Sequence, residues 1–216
     1  MTGALCIDVA GEAVHLLPER ALFWPTEGLL VVADLHWGKV ETFLRYGVPV
    51  PGGVLEDDLA RLAKALEQTG AQRLVVLGDL VHGQVGLTEG LEARVGAWRA
   101  AHPVALVLVL GNHDRRTAGL PARWGIEVVE GLEVGPFAFR HEPEPVVGHH
   151  VWCGHIHPTV VLGPGTRLPC FHIRAGLGIL PAFSAFSGGP PVRRAPGERC
   201  FGVTPSRVVA VWGRDE

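Results

Sequence analysis

The chain has 216 residues, 47% hydrophobic and 19% charged, which excludes a disordered chain and allows a substantial core. A formal net charge of −3 provides no global attraction for nucleic acid. Apolar runs such as Val104–Leu110 fall far short of the roughly 20 residues that cross a bilayer. No basic stretch leads into an apolar segment at the N-terminus, so a cytoplasmic protein without membrane association is expected.

Residues 4–24 alternate loosely around Gly11-Glu12 and end in Leu22-Phe23-Trp24-Pro25, predicting a hairpin of edge strands. Leu29 to Asp34 reads as a buried strand, followed by Trp37, Val40, Phe43 and Leu44 at helical spacing. Leu55, Leu59, Leu62 and Leu66 form the apolar stripe of the clearest helix, with Glu56, Asp57 and Asp58 in its first turn and Gly70 at its end. Arg73 to Asp79 is a third strand, Leu91, Val95 and Trp98 mark a helix over 88–101, and 104–110 is a fourth buried strand. Alternating strands and helices of this kind imply a parallel sheet with right-handed crossovers. After Arg123 the pattern changes to short strands at 126–130, 136–141, 150–154, 168–174 and 200–212, predicting a second, more antiparallel sheet. The expectation is α/β, with residues 1–216 as one domain of two packed sheets. The four cysteines, Cys6, Cys153, Cys170 and Cys200, are widely spaced and read as small hydrophobes.

The predicted strands end in polar residues that share one chemistry. These are Asp34-Leu35-His36, Gly78-Asp79, Gly111-Asn112-His113-Asp114, Gly154-His155-Ile156-His157, and His141 after its own strand. Asn112 is the only asparagine in the sequence. If the chain stays extended, Asp34 and His36 grip one ion together and so do His155 and His157, because residues i and i+2 point the same way. By the same alternation, His113 points away from Asn112. Carboxylate, imidazole and one amide oxygen, without thiolate, suit Mn, Fe or Zn in higher coordination. Even without His113 and Asp114, the seven that remain are too many for one catalytic ion with an open position, which points to two ions sharing a carboxylate.

These blocks, in this order, resemble the calcineurin-like metallophosphoesterases. The resemblance implies a four-layer α/β/β/α sandwich of two mixed sheets. It assigns Asp34, His36 and His157 to one divalent ion and Asn112, His141 and His155 to another, with Asp79 bridging. Manganese is the first expectation, iron and zinc the alternatives. His113 would be the general acid and Asp114 would orient it, while a hydroxide bridging the ions attacks the phosphodiester. Leu17-Pro18-Glu19-Arg20, Ala33 to Lys39, Arg167 to Phe171 and Leu180 to Gly189 further resemble the bacterial DNA-ligase-associated metallophosphoesterases. That likeness implies a repair nuclease acting on DNA, beside an ATP-dependent DNA ligase, a helicase and a second nuclease.

Arg115, Arg116 and Lys39 are candidate substrate-phosphate contacts, with a solvated turn as the plain alternative for the arginines. Arg193, Arg194 and Arg199 form a late basic patch that either tracks a nucleic-acid backbone or decorates a Pro-rich loop. His82 reads equally as a phosphate contact or a loop histidine. A small phosphoester is the rival substrate. A phosphoesterase fold kept as a binding subunit is the rival class, and its mark, loss of ligands, is not seen in the sequence.

Overall fold

In the computed structural model, described over residues 1–213, two sheets pack face to face. The first begins as an antiparallel meander of β1 (Leu5–Val9), β2 (Glu12–Leu17) and β3 (Ala21–Trp24), which joins β4 (Leu29–Val32). The expected edge hairpin therefore has a third strand that ties it to the central sheet. β4 then runs parallel to β5 (Arg73–Leu77), β6 (Ala105–Val109) and β7 (Ile126–Val129). Helices α1 (Lys39–Arg45) and α2 (Val54–Thr69) lie between β4 and β5, and α3 (Glu89–Ala101) precedes β6.

The two faces of the first sheet bury different partners, as the period of two requires. Leu30, Val32, Leu74, Val76, Leu106 and Leu108 meet Leu59 and Leu62 of α2 and Leu91, Val95 and Trp98 of α3. Leu29, Val31, Val75, Leu77, Val107 and Val109 face the second sheet through Phe137, Phe139, Trp152, Phe171 and Phe201.

The second sheet contains β8 (Leu132–Val134), β9 (Phe137–Phe139), β10 (His150–Cys153), β11 (Thr159–Gly163), β12 (Thr166–Arg174), β13 (Leu177–Ile179), β14 (Arg199–Val203) and β15 (Val208–Trp212). β10 runs parallel to β9 and β13, and the remaining pairs are antiparallel. The sequence reading found neither β8, β11 nor β13, and merged β14 with β15; β8 and β13 span only three residues each, too few to show periodicity.

The expected α/β fold of two packed mixed sheets is borne out, with α2 and α3 packed on the first sheet. Among the described residues no α-helix follows α3. The small apolar patch outside β9, β10 and β13 is met by Val146 and Ile156, which belong to loops. No helix among the described residues is long and apolar enough to cross a membrane.

Candidate metal centre

The strands end together on one side of the sandwich, where an α/β sheet exposes polar loops. Asp34 and Asp79 follow β4 and β5, Asn112 follows β6, and His141 and His155 follow β9 and β10. The loops after β4 and β5 stay tied beyond the strands. Asp34 N–H donates to Gly78 O (3.2 Å), His36 N–H to Asp79 O (2.8 Å), and Trp37 N–H to Leu80 O (2.9 Å).

Asp34, His36, Asp79, His155 and His157 all have positive φ, between 48° and 65°. A left-handed backbone is costly for residues with a Cβ and concentrates where a site over-determines it. It also overturns the extended-chain argument for the Asp34–His36 and His155–His157 pairs. His155 and His157 fall into different groups. Ligand atoms of Asp34, His36 and His157 lie within 4.8 Å of one another, and those of Asp79, His141 and His155 do the same.

Asp79 stands between the groups. Its Oδ1 is 3.5 Å from His141 Nε2 and its Oδ2 is 4.0 Å from His36 Nε2. Asn112 Oδ1 lies 3.0 Å from His141 Nε2, beside His155 Nδ1 at 3.1 Å. Gly111 and Gly78 make this approach possible. A Cβ on Gly111 would sit 2.3 Å from Asp79 Oδ1, and one on Gly78 would sit 2.2 Å from His141 Nδ1.

Proton bookkeeping shows that this donor set fits divalent cations. His141 Nδ1 donates to Leu77 O (2.9 Å), which leaves Nε2 facing Asn112 Oδ1 and Asp79 Oδ1. His157 Nδ1 donates to Gly188 O (3.4 Å), leaving its Nε2 facing Asp34 Oδ1 at 3.2 Å and His36 Nε2 at 3.4 Å. Acceptors that converge repel one another unless a cation or proton sits among them. Burial opposes the charged form of His157, but the bond to Asp34 and the charge of Asp34 prevail and raise its pKa. A metal replaces that proton on binding. His36 is already neutral, its pKa pushed down to about 2 by burial first and then by His157, Lys39, His113 and His82.

His113 does not continue an extended strand. It adopts an αR backbone (φ −73°, ψ −40°), and this turn separates it from Asn112. Its Nδ1 donates to His82 O (2.8 Å), and its Nε2 is 4.0 Å from Asp79 Oδ2. Asp114 is not the group that orients it. The buried Asp114 carboxylate accepts from Val81 N–H (3.1 Å) and Gly111 N–H (3.0 Å), fastening the β6 loop to the β5 loop. Asp114→Ala would orphan two buried amides, so a stability loss of about 2–4 kcal/mol is expected in urea melts. The variant should lose activity equally on alkyl and aryl leaving groups.

The sequence reading undervalued His82. Its ring stacks on His113 at 4.9 Å, and one of its ring nitrogens lies within 4.8 Å of ring nitrogens of His36 and His113. Burial, then His113 and Lys39, lower its pKa to about 4. Its place three residues past Asp79, on a loop tied to Trp37, was the available signal.

The candidate phosphate contacts divide. Lys39 lies at the site, with Nζ 3.2 Å from Ser187 Oγ and 5.6 Å from the Phe186 ring centroid. Arg115 is exposed and paired with Glu130, whereas Arg116 is exposed beside it. Arg199 donates to Asp8 O (3.0 Å) of the β1–β2 meander, while Arg193 and Arg194 are exposed.

Away from the centre, His150 packs between Phe137 and Trp152 with its Nε2 buried and unpartnered. Burial, then Arg199, hold its pKa near 4. The unfolded chain therefore binds this proton first, and His150 costs stability as pH falls from 6.5 toward 4. Burial acts oppositely on Asp58 and Asp114, whose pKa values are raised, so the test is a comparison. Wild type should lose more stability than His150→Phe between pH 7 and pH 4.5 in urea titrations of metal-free protein. Equal losses would remove His150 as the cause.

Two carboxylates and several imidazoles gathered at the ends of packed mixed sheets define a metallophosphoesterase centre. The chain belongs to the calcineurin-like phosphoesterase family, whose model matches residues 29–174, more than half of the chain. Among solved structures it is similar to the Pseudomonas putida nuclease MPE. That likeness has 37% identity and a TM-score of 0.85, covering 96% of this chain and 100% of the other. YfcE, a phosphoesterase from E. coli, aligns at 16% identity and TM-score 0.42, covering 84% and 96% of the two chains. No curated protein matches the sequence.

Proposed function

We propose that this protein is a two-metal phosphodiesterase that cleaves DNA, with manganese as its working ion. The carrying observation is Asp79, which turns one carboxylate oxygen toward His141 and the other toward His36. Asp34, His36 and His157 would hold one ion and Asn112, His141 and His155 the other. When bound, the ions neutralise phosphoryl oxygens and lower the pKa of water to make a nucleophile near neutral pH. The residues do the rest. His113, its Nδ1 fixed on His82 O, presents Nε2 beside Asp79 and in its protonated form donates to the departing oxygen. His82 walls the same pocket, and Lys39 supplies positive charge at its rim.

DNA as substrate is supported by the likeness to the Pseudomonas putida nuclease MPE over nearly the whole chain. The sequence resemblance supports a cytoplasmic repair role beside an ATP-dependent DNA ligase, a helicase and a second nuclease. The test is Mn-loaded protein on single-stranded, nicked and duplex DNA beside a small alkyl phosphodiester. DNA cleavage that weakens as salt rises is expected. Brisk turnover of the small diester without cleavage of any DNA would establish the small-substrate rival.

A further inference from the structure

Two stretches of sequence are not absorbed by the centre itself, Leu17 to Arg20 and Leu180 to Gly189, and the structure joins them. Arg20 sits in the turn after β2 with φ 62°, a strained backbone for a side chain of this size. Its guanidinium crosses to the carbonyls of Ala182 (3.4 Å), Phe183 (3.4 Å) and Ser184 (2.9 Å). Arg61 of α2 donates to Phe183 O and to Asp58 Oδ1, and lies over the Phe183 ring. Asp58 Oδ1 also accepts from Ala185 N–H (3.3 Å). One edge of the 182–185 segment is thus gripped by side chains from two distant elements.

The other edge meets the metal centre. Phe183 N–H donates to Ala33 O (2.7 Å) and Ser184 N–H to Asp34 O (3.4 Å). Further along, Gly188 O accepts a hydrogen bond from His157 Nδ1, the bond that turns Nε2 inward. A Cβ on Gly189 would lie 1.9 Å from His157 O, so the segment lies directly against that residue. These contacts support Asp34 and His157. Within the second group, His141 is held by Leu77 O and the Asp79 carboxylate by His113 N–H, and a link to the first is His155 N–H, which donates to the Asp34 carboxylate (3.0 Å).

We propose that Arg20 is a positioning residue for the ion held by Asp34, His36 and His157, acting with Asp58 and Arg61 through the 182–189 segment. The proposal rests on the two-ion reading above. Outer-shell partners of metal ligands are worth roughly 10–100-fold in metal affinity. Arg20→Ala should therefore weaken one Mn by up to that factor and the second by clearly less, read by metal titration of the metal-free protein. Arg20→Lys should recover part of the loss, because an ammonium still reaches the Ser184 carbonyl.

His155→Ala, which keeps the Asp34 group, identifies the ion affected: combined with Arg20→Ala, it should bind its remaining Mn more weakly. If Arg20→Ala does not fold, as judged by circular dichroism, Arg61→Met carries the same test and retains the stem over Phe183. Equal weakening of both ions, or no change in either, overturns the proposal. A wild type that holds one ion contradicts the two-ion reading instead. The clamp then stands only if Asp34→Asn abolishes that ion and Arg20→Ala weakens it.

Discussion

His113→Ala is expected to keep its metals and to cleave DNA or an alkyl phosphodiester roughly 10²–10⁴-fold more slowly, the usual value of general acid catalysis. Loss on an aryl phosphodiester should be much smaller, because a nitrophenolate departs without a proton. The geometry behind this is a division of labour within one loop. Asn112 Oδ1 faces His141, whereas His113 Nε2 faces the opposite oxygen of Asp79 and is anchored at Nδ1 by His82 O. Steady-state rates on both substrates, with metal content measured on the same preparations, decide it. Equal losses on both leaving groups with metal unchanged would show that His113 is not the acid.

Asp79→Asn should be more damaging and should not discriminate between leaving groups. The substitution removes the negative charge between the groups, where Oδ1 and Oδ2 face His141 and His36 at 3.5 Å and 4.0 Å. It also touches the loop, since Asp79 Oδ1 accepts His113 N–H at 2.9 Å. Affinity should fall at both positions by at least about tenfold, and activity should fall by more than about 10²-fold on alkyl and aryl diesters alike. His36→Ala should mainly disturb one ion. If Asp79→Asn retained one ion at native affinity, Asp79 would belong to a single group.

In the parallel half, β4, β5 and β6 were legible because they are buried on both faces and α2 and α3 carry apolar stripes. Val75 and Val107 face the second sheet while Leu74 and Leu106 face the helices, so the runs read as unbroken. The more exposed β7 was read into the second sheet. The second half was harder because β8 and β13 span three residues each, too few to show alternation. A fourth helical layer was expected from family resemblance, and no stripe after residue 123 supported it.

The residues of the centre were legible as polar strand ends, and the family resemblance divided them into the groups seen, but chain geometry alone did not. Alternation along an extended chain paired His155 with His157, whereas left-handed turns at both send them to different groups. The family resemblance made Asp114 the residue that orients His113, yet its carboxylate holds Gly111 and Val81. The partners of Arg20 lie more than 160 residues away, and no local pattern encodes such a contact.

The central claim is a shared centre for two ions, and the number of ions per chain tests it most directly. Metal-free protein should be equilibrated with excess Mn, freed of unbound ion, and analysed by elemental mass spectrometry against protein concentration. The account predicts two Mn per chain, falling toward one in His36→Ala. A single Mn in the wild-type protein, unchanged as free Mn rises, would contradict it.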